Sequence, residues 1–136
     1  LLVSSLKYKY LSVLHRKNNE LLNLFPNKTI DSDYGMGSIS LNKSKDIGID
    51  PRIAENGLKL SFRVGGEIIK PIGKKHHYKL KKLFQEYKIY PWMRNRIPLF
   101  FYENEVVSVG NLWIAEKFSK SNGYKINWEK KPELND

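Results

Sequence analysis

The sequence predicts an α+β fold: an antiparallel or mixed β-sheet, barrel- or sandwich-like, with a helix pair packed on one side. Three observations point there. Short period-2 stretches recur between Gly, Pro and Asn breaks; a helical i, i+3, i+4, i+7 stripe runs through 78–87; and the strands are not spaced by regular helices as a repeating βαβ unit requires. With 136 residues, the chain suits one domain, or one domain with an arm.

The elements follow in order. Tyr8 to Leu14 is β-branched and aromatic enough for a strand, and His15 to Glu20 breaks it. The sequence begins at Leu1-Leu2 rather than Met, and a strand pattern starts almost at once, so it reads as a piece of a longer protein. Leu21 to Phe25 is a helical turn or a short extended piece, ended by Pro26-Asn27. Gly35 to Leu41 alternates apolar and small polar residues as a second strand, and Asn42 to Asn56, with Gly48 and Pro51, reads as a connecting loop. Leu58, Leu60, Phe62 and Val64 alternate with Lys59, Ser61 and Arg63, one apolar face and one basic. Gly65-Gly66 then supplies a hairpin turn, with Glu67 to Lys70 as the returning strand.

Leu80, Leu83, Phe84 and Tyr87 form the helical stripe, while Lys79, Lys81, Lys82 and Glu86 fall elsewhere on the helix. Pro91 to Arg96 predicts a second short helix, opened by Pro91 and stopped by Pro98. Leu99 to Tyr102, Val106 to Val109 and Leu112 to Ala115 form a meander, Tyr124 to Trp128 an edge strand, and Glu129 to Asp136 a solvated tail. The domain organisation that results has 1–57 as N-terminal strands and loop of the same domain, 58–128 as its core and 129–136 as the tail.

Charge narrows the function. Lys and Arg number 24 against 14 Asp and Glu, a formal +10, which favours polyanionic partners. The excess is concentrated: Lys59 to Arg96 holds 11 basic residues against Glu67 and Glu86 alone, whereas compositional drift would scatter it. Lys59, Arg63, Lys70, Lys74, Lys75, His76, His77, Lys79, Lys82, Arg94 and Arg96 are the candidate RNA-binding residues. Lysines and histidines donate to phosphate oxygens, arginine forks bridge two of them, and the N-terminal amides of the 78–87 helix would reinforce anion binding. Six such groups, each neutralising a phosphate, would give log K a slope against log salt of about −4 to −5.

Catalytic and metal chemistry find little support. Cysteine is absent, which excludes disulfides and Cys-based zinc sites. His76-His77 is the one adjacent histidine pair and His15 lies far away in sequence; neighbouring imidazoles diverge on either a strand or a helix, so no metal site is expected. Neither a triad elbow nor a phosphate loop is present, and no catalytic residue is assigned. Trp92 and Trp113 could stack on bases, since every base presents a π face, but beside Pro91 and within a meander strand they are expected in the core. With no long apolar run, no membrane span or secretory segment is read, and a cytoplasmic location is expected.

Three stretches together resemble the C-terminal domain of bacterial tRNA(Ile)-lysidine synthetase: Phe62-Arg63-Val64-Gly65-Gly66-Glu67, Lys79 to Glu86, and Ile89-Tyr90-Pro91-Trp92-Met93-Arg94-Asn95-Arg96-Ile97-Pro98-Leu99. The similarity runs from about Leu58 to Trp128. Tyr90 departs from it, since the family often has a second proline there. The resemblance implies a parent ligase that uses ATP and Mg to join lysine to the wobble cytidine of tRNA(Ile), with those cofactors in a catalytic domain missing here and none in this piece. It also implies a fold related to a module of the phenylalanine tRNA synthetase β chain. This piece would grip tRNA on the acceptor-stem side, its partners being tRNA(Ile) and the catalytic domain of the same polypeptide. The alternative is a protein-docking module whose lysines serve solubility without touching RNA. A metal-dependent hydrolase using His15, His76 and His77 stands only as a contrast.

Overall fold

The computed structural model describes residues 23–31 and 35–136; the strand expected at Tyr8 to Leu14, and His15, lie outside them. The described elements are β1 (Asn23–Leu24), β2 (Thr29–Asp31), β3 (Ser38–Lys43), β4 (Ile47–Ile49), α1 (Pro51–Glu55), β5 (Leu58–Ser61), β6 (Ile68–Ile69), β7 (Tyr78–Lys79), α2 (Leu80–Glu86), β8 (Leu99–Tyr102), β9 (Glu105–Val109), β10 (Trp113–Ile114), β11 (Ser119–Ser121) and β12 (Tyr124–Glu129). One five-stranded sheet runs β1-β5-β8-β9-β10, a second β11-β4-β12-β3-β2, and β6-β7 forms a small ribbon. Among the described residues every strand pairing is antiparallel and two short α-helices occur, so the class is α+β, mostly antiparallel sheet.

The alternation read from the sequence decides which side chains face inward. In β12, Ile126 and Trp128 are buried and lie opposite Leu41 and Ile39 of β3. The Trp128 indole N–H is buried too, and donates to the Met36 carbonyl at 2.6 Å, because a buried polar hydrogen needs a partner. Both sheets feed one core, where Leu24, Ile49, Leu58, Leu80, Leu83, Phe84, Phe100 and Val107 are wholly enclosed. The second sheet also needs glycine: a Cβ on Gly48 would meet the Tyr124 carbonyl at 2.6 Å, and one on Gly123 would meet the Gly48 backbone at 2.6 Å.

Several expectations are corrected. The 42–56 loop contains β4 and α1; Asp50 caps α1 by accepting from the Arg52 amide at 3.0 Å, with Pro51 opening the helix. Gly65 and Gly66 have positive φ but make no hairpin between β5 and 67–70. Both edges of β5 are already filled, by β1 and β8, so β6 pairs with β7. The second helix at 91–96 is a run of turns, with Met93 N bonded to Tyr90 O and Arg96 N to Met93 O; two prolines around six residues leave no room for an i→i−4 ladder. The expected helix pair of 78–87 and 91–96 is thus reduced to α2, and α1 is a separate short helix upstream. Tyr124 to Trp128 is the central strand of its sheet, not an edge. The 129–136 segment is docked: Leu134 is buried, its carbonyl accepts from Tyr90 N at 2.8 Å, and Asn135 Nδ2 donates to Tyr87 O at 2.8 Å.

Candidate nucleic-acid interface

The site is built around α2. Leu80, Leu83 and Phe84 fix the helix by burial, which turns Lys81 and Lys82 to solvent. Its start is held by the loop before it. The Glu67 carboxylate accepts from Val64 N at 2.8 Å and Gly65 N at 3.0 Å, and the Glu67 carbonyl accepts from Leu80 N at 3.0 Å. One of the helix's leading amides is therefore spent within the protein rather than offered to an anion. Its end is a Schellman-type closure: Ile89 N bonds Phe84 O at 2.9 Å, Lys88 N bonds Gln85 O at 3.1 Å, and Lys88 takes φ 55°.

Aromatic rings collect the lysines. The Lys74 ammonium sits 5.6 Å from the Tyr78 ring and 5.7 Å from Tyr87, and Lys82 approaches Tyr78 at 5.6 Å. The two ammonium groups thus share one phenol, which lies between the 74–77 loop and the first turn of α2. Each ring face holds a cation by its quadrupole, worth about 0.5–1 kcal/mol at exposed sites. Tyr87 meets Trp113 edge-on at 5.0 Å, Trp113 lies 5.9 Å from Phe84, and the Arg63 guanidinium stands 5.7 Å from Phe84. Trp113 is accordingly part of the packing, as expected. Arg63 Nε donates to Asn95 Oδ1 at 3.0 Å, tying the 62–67 loop to the 91–96 turns.

Of the expected set the structure brings Lys74 and Lys82 together at the Tyr78 ring; Lys75 is exposed in the same loop, and Lys79 and Lys81, the latter left by sequence reasoning as helix surface, are exposed at the start of α2. Among the described residues none of these five lies within ion-pair distance of a carboxylate. His76 is exposed in the same loop. Arg63, Arg94 and Arg96 flank the helix through the 91–96 turns, Arg94 Nε donating to Ile89 O at 2.9 Å.

Others stand apart. Lys70 pairs with Glu116 at 2.9 Å. His77 joins Glu67, Lys70, Glu105, Glu116 and Lys117 around a groove of about 570 Å³ in which both signs of charge mix. Lys59 projects from β5 beside Ser61, Phe101, Glu103 and Asn104, because a strand places its outward residues where the sheet dictates. Trp92 is 61% exposed, contrary to the expectation of core burial. Among the described residues no three His, Asp or Glu side chains gather as a metal site, and no helix is long and apolar enough to cross a membrane.

The family profile described as TilS substrate C-terminal domain matches residues 58–128. The chain belongs to this family. Its matched segment begins with β5 and ends in β12, and so contains α2 and the whole lysine cluster. Curated relatives agree. The chain is 34% identical over 93 residues to the tRNA(Ile)-lysidine synthase of Coxiella burnetii, covering 68% of the chain and 20% of the relative. Against the tRNA(Ile)-lysidine synthase of Vibrio campbellii it is 44% identical over 62 residues, 46% of the chain and 14% of the relative. The same enzyme of Buchnera aphidicola is 38% identical over 74 residues, 53% and 16%. The chain spans about a fifth or less of the length of these relatives.

Proposed function

We propose that this chain is the tRNA-holding C-terminal part of a tRNA(Ile)-lysidine synthase and that the lysine face of α2 is its grip. The carrying observation is that the Lys74 and Lys82 ammonium groups meet at Tyr78 while Lys75, Lys79 and Lys81 are exposed on the same loop and first turn of α2, none of the five in an ion pair among the described residues, inside the segment that matches the family. The parent reaction joins lysine to the wobble cytidine of tRNA(Ile) with ATP. ATP and Mg would belong to the catalytic part of the polypeptide, and this piece takes no part in the chemistry.

A-form RNA presents a shallow minor groove edged by phosphates and 2′-hydroxyls, so a convex, lysine-covered helix reads backbone and shape rather than sequence. The acceptor stem is the duplex such a face would hold. The domain core is taken as 58–128 with the upstream strands in the same folding unit, which the β1–β5 and β3–β12 pairings support. Two sheets sharing one core also favour the sandwich-like reading.

A docking role has one observation of its own: Ile47 and Ile72 are exposed along a groove of about 310 Å³, of mixed polar and apolar lining, with Leu112, Ile114, Asn111 and Lys125. Filter binding of tRNA at several salt concentrations tests the first reading, which fails if affinity ignores salt. Sedimentation with the separate catalytic part, without RNA, forms a complex only if docking operates.

A further inference from the structure

The 89–96 segment carries a feature the lysine face does not explain. Tyr90 and Trp92 stack nearly parallel, ring centroids 4.7 Å apart and planes 11° apart, yet Trp92 remains 61% exposed. Tryptophan is among the most buried residue types on average, so an indole held rigidly in water is unusual. Its support is fixed from several sides. The Tyr90 amide donates to Leu134 O at 2.8 Å and its hydroxyl to Asp136 Oδ1 at 2.7 Å, while the Tyr90 carbonyl accepts from Met93 N at 2.9 Å. Next to it, the bond from Arg94 Nε to Ile89 O anchors a guanidinium, and Tyr87, 43% exposed, leads back to Lys74.

We infer that the Tyr90–Trp92 pair is a stacking platform for an unpaired RNA base next to the duplex held by the α2 lysines. Every base has a π face, so stacking tolerates any sequence. A rigid aromatic pair loses little entropy on engagement, and Arg94 stands where it can meet the phosphate joined to the stacked nucleotide. This inference rests on the RNA-holding reading above.

The test measures binding by the 136-residue chain of two RNA stems, one blunt and one with a single-stranded 3′ overhang. Wild-type protein should prefer the overhang. Trp92→Ala should weaken overhang binding about five- to 150-fold, the range for one stacked base, leave blunt-stem affinity within about twofold, and preserve the salt slope of both. Trp92→Phe, which keeps a ring, should retain part of the preference and guards against misfolding. Equal wild-type affinity for the two stems, or equal loss on both from Trp92→Ala, overturns the platform while leaving the lysine grip standing. Wild-type protein that binds neither stem in a salt-dependent way overturns the RNA-holding reading, and the platform with it.

Discussion

Replacing Lys74, Lys75, Lys79 and Lys82 together by Ala removes four of the five clustered cations and should change how binding responds to salt more than it changes the fold. A phosphate neutralised by one lysine contributes about −0.7 to −0.9 to the slope of log K against log salt. Five lysines then give about −3.5 to −4.5, so raising salt from about 50 to 200 mM weakens wild-type binding about 100- to 500-fold. The quadruple variant keeps Lys81 and should retain a slope of about −1 or shallower, with affinity near 0.1 M salt lower by about 10³. Folding should survive, because all four side chains are solvent-facing or half-exposed. Their truncation takes away the cation–π approaches at Tyr78 and Tyr87, worth about 0.5–1 kcal/mol each. Lys70→Ala is the internal control, since that ammonium already faces Glu116 at 2.9 Å, and it should leave the slope unchanged, where loss of a phosphate-contacting lysine would remove about 0.7–0.9. Filter binding across a salt series, with thermal melts of each variant, makes the comparison. A quadruple variant with the wild-type slope, or Lys70→Ala with a loss of about 0.7–0.9 equal to that of each α2-face lysine, refutes the assignment of the grip to α2.

Two further substitutions probe the frame that presents this face. Lys88→Gly should stabilise the protein by about 1 kcal/mol in denaturant melts, because Lys88 holds φ 55° at a helix terminus where glycine avoids the left-handed penalty. Asp50→Ala should cost about 0.5–2 kcal/mol through loss of the α1 cap. The Arg52 amide bond, outweighing partial burial, holds the Asp50 carboxyl below the ordinary aspartate range. The cap's contribution is therefore complete above a pH of about 3.9, the unperturbed value, and fades as pH falls through the lower folded value; an acid titration of stability that is identical in wild type and variant contradicts it.

How much was legible beforehand depended on whether the deciding forces were local. The Leu80, Leu83, Phe84 stripe marked α2, and alternation with Asn and Gly turns marked β8 to β10, because those patterns are written within one element. Strand partners are set by the whole sheet: nothing near Gly65-Gly66 tells that β1 and β8 occupy both edges of β5, and nothing within Tyr124 to Trp128 tells that β3 and β4 close around it. Short elements such as β4 and α1 hide in a polar stretch because tertiary burial of Ile49 and Ala54, rather than propensity, holds them. Leu134 was the signal that the tail would dock, a lone apolar residue among polar ones.

The site divided along the same line. Lys74 to Lys82 are contiguous in sequence, so a loop and a helical turn keep them together in space. Lys59 belongs to a strand whose partners carry it elsewhere, and Lys70, just after β6, is drawn onto Glu116. Trp92 was misplaced because aromatic content alone does not distinguish a core ring from one that is stacked and exposed.

Amide chemical-shift mapping of the ¹⁵N-labelled chain during titration with tRNA reads the location of contact directly. Changes should concentrate on the 74–77 loop and the first turn of α2, extend to the 91–96 turns, and collapse as salt is raised. Shifts centred instead on the groove at Ile47, Ile72 and Ile114, or around Lys59, with residues 74–82 unmoved, would contradict a lysine grip on α2.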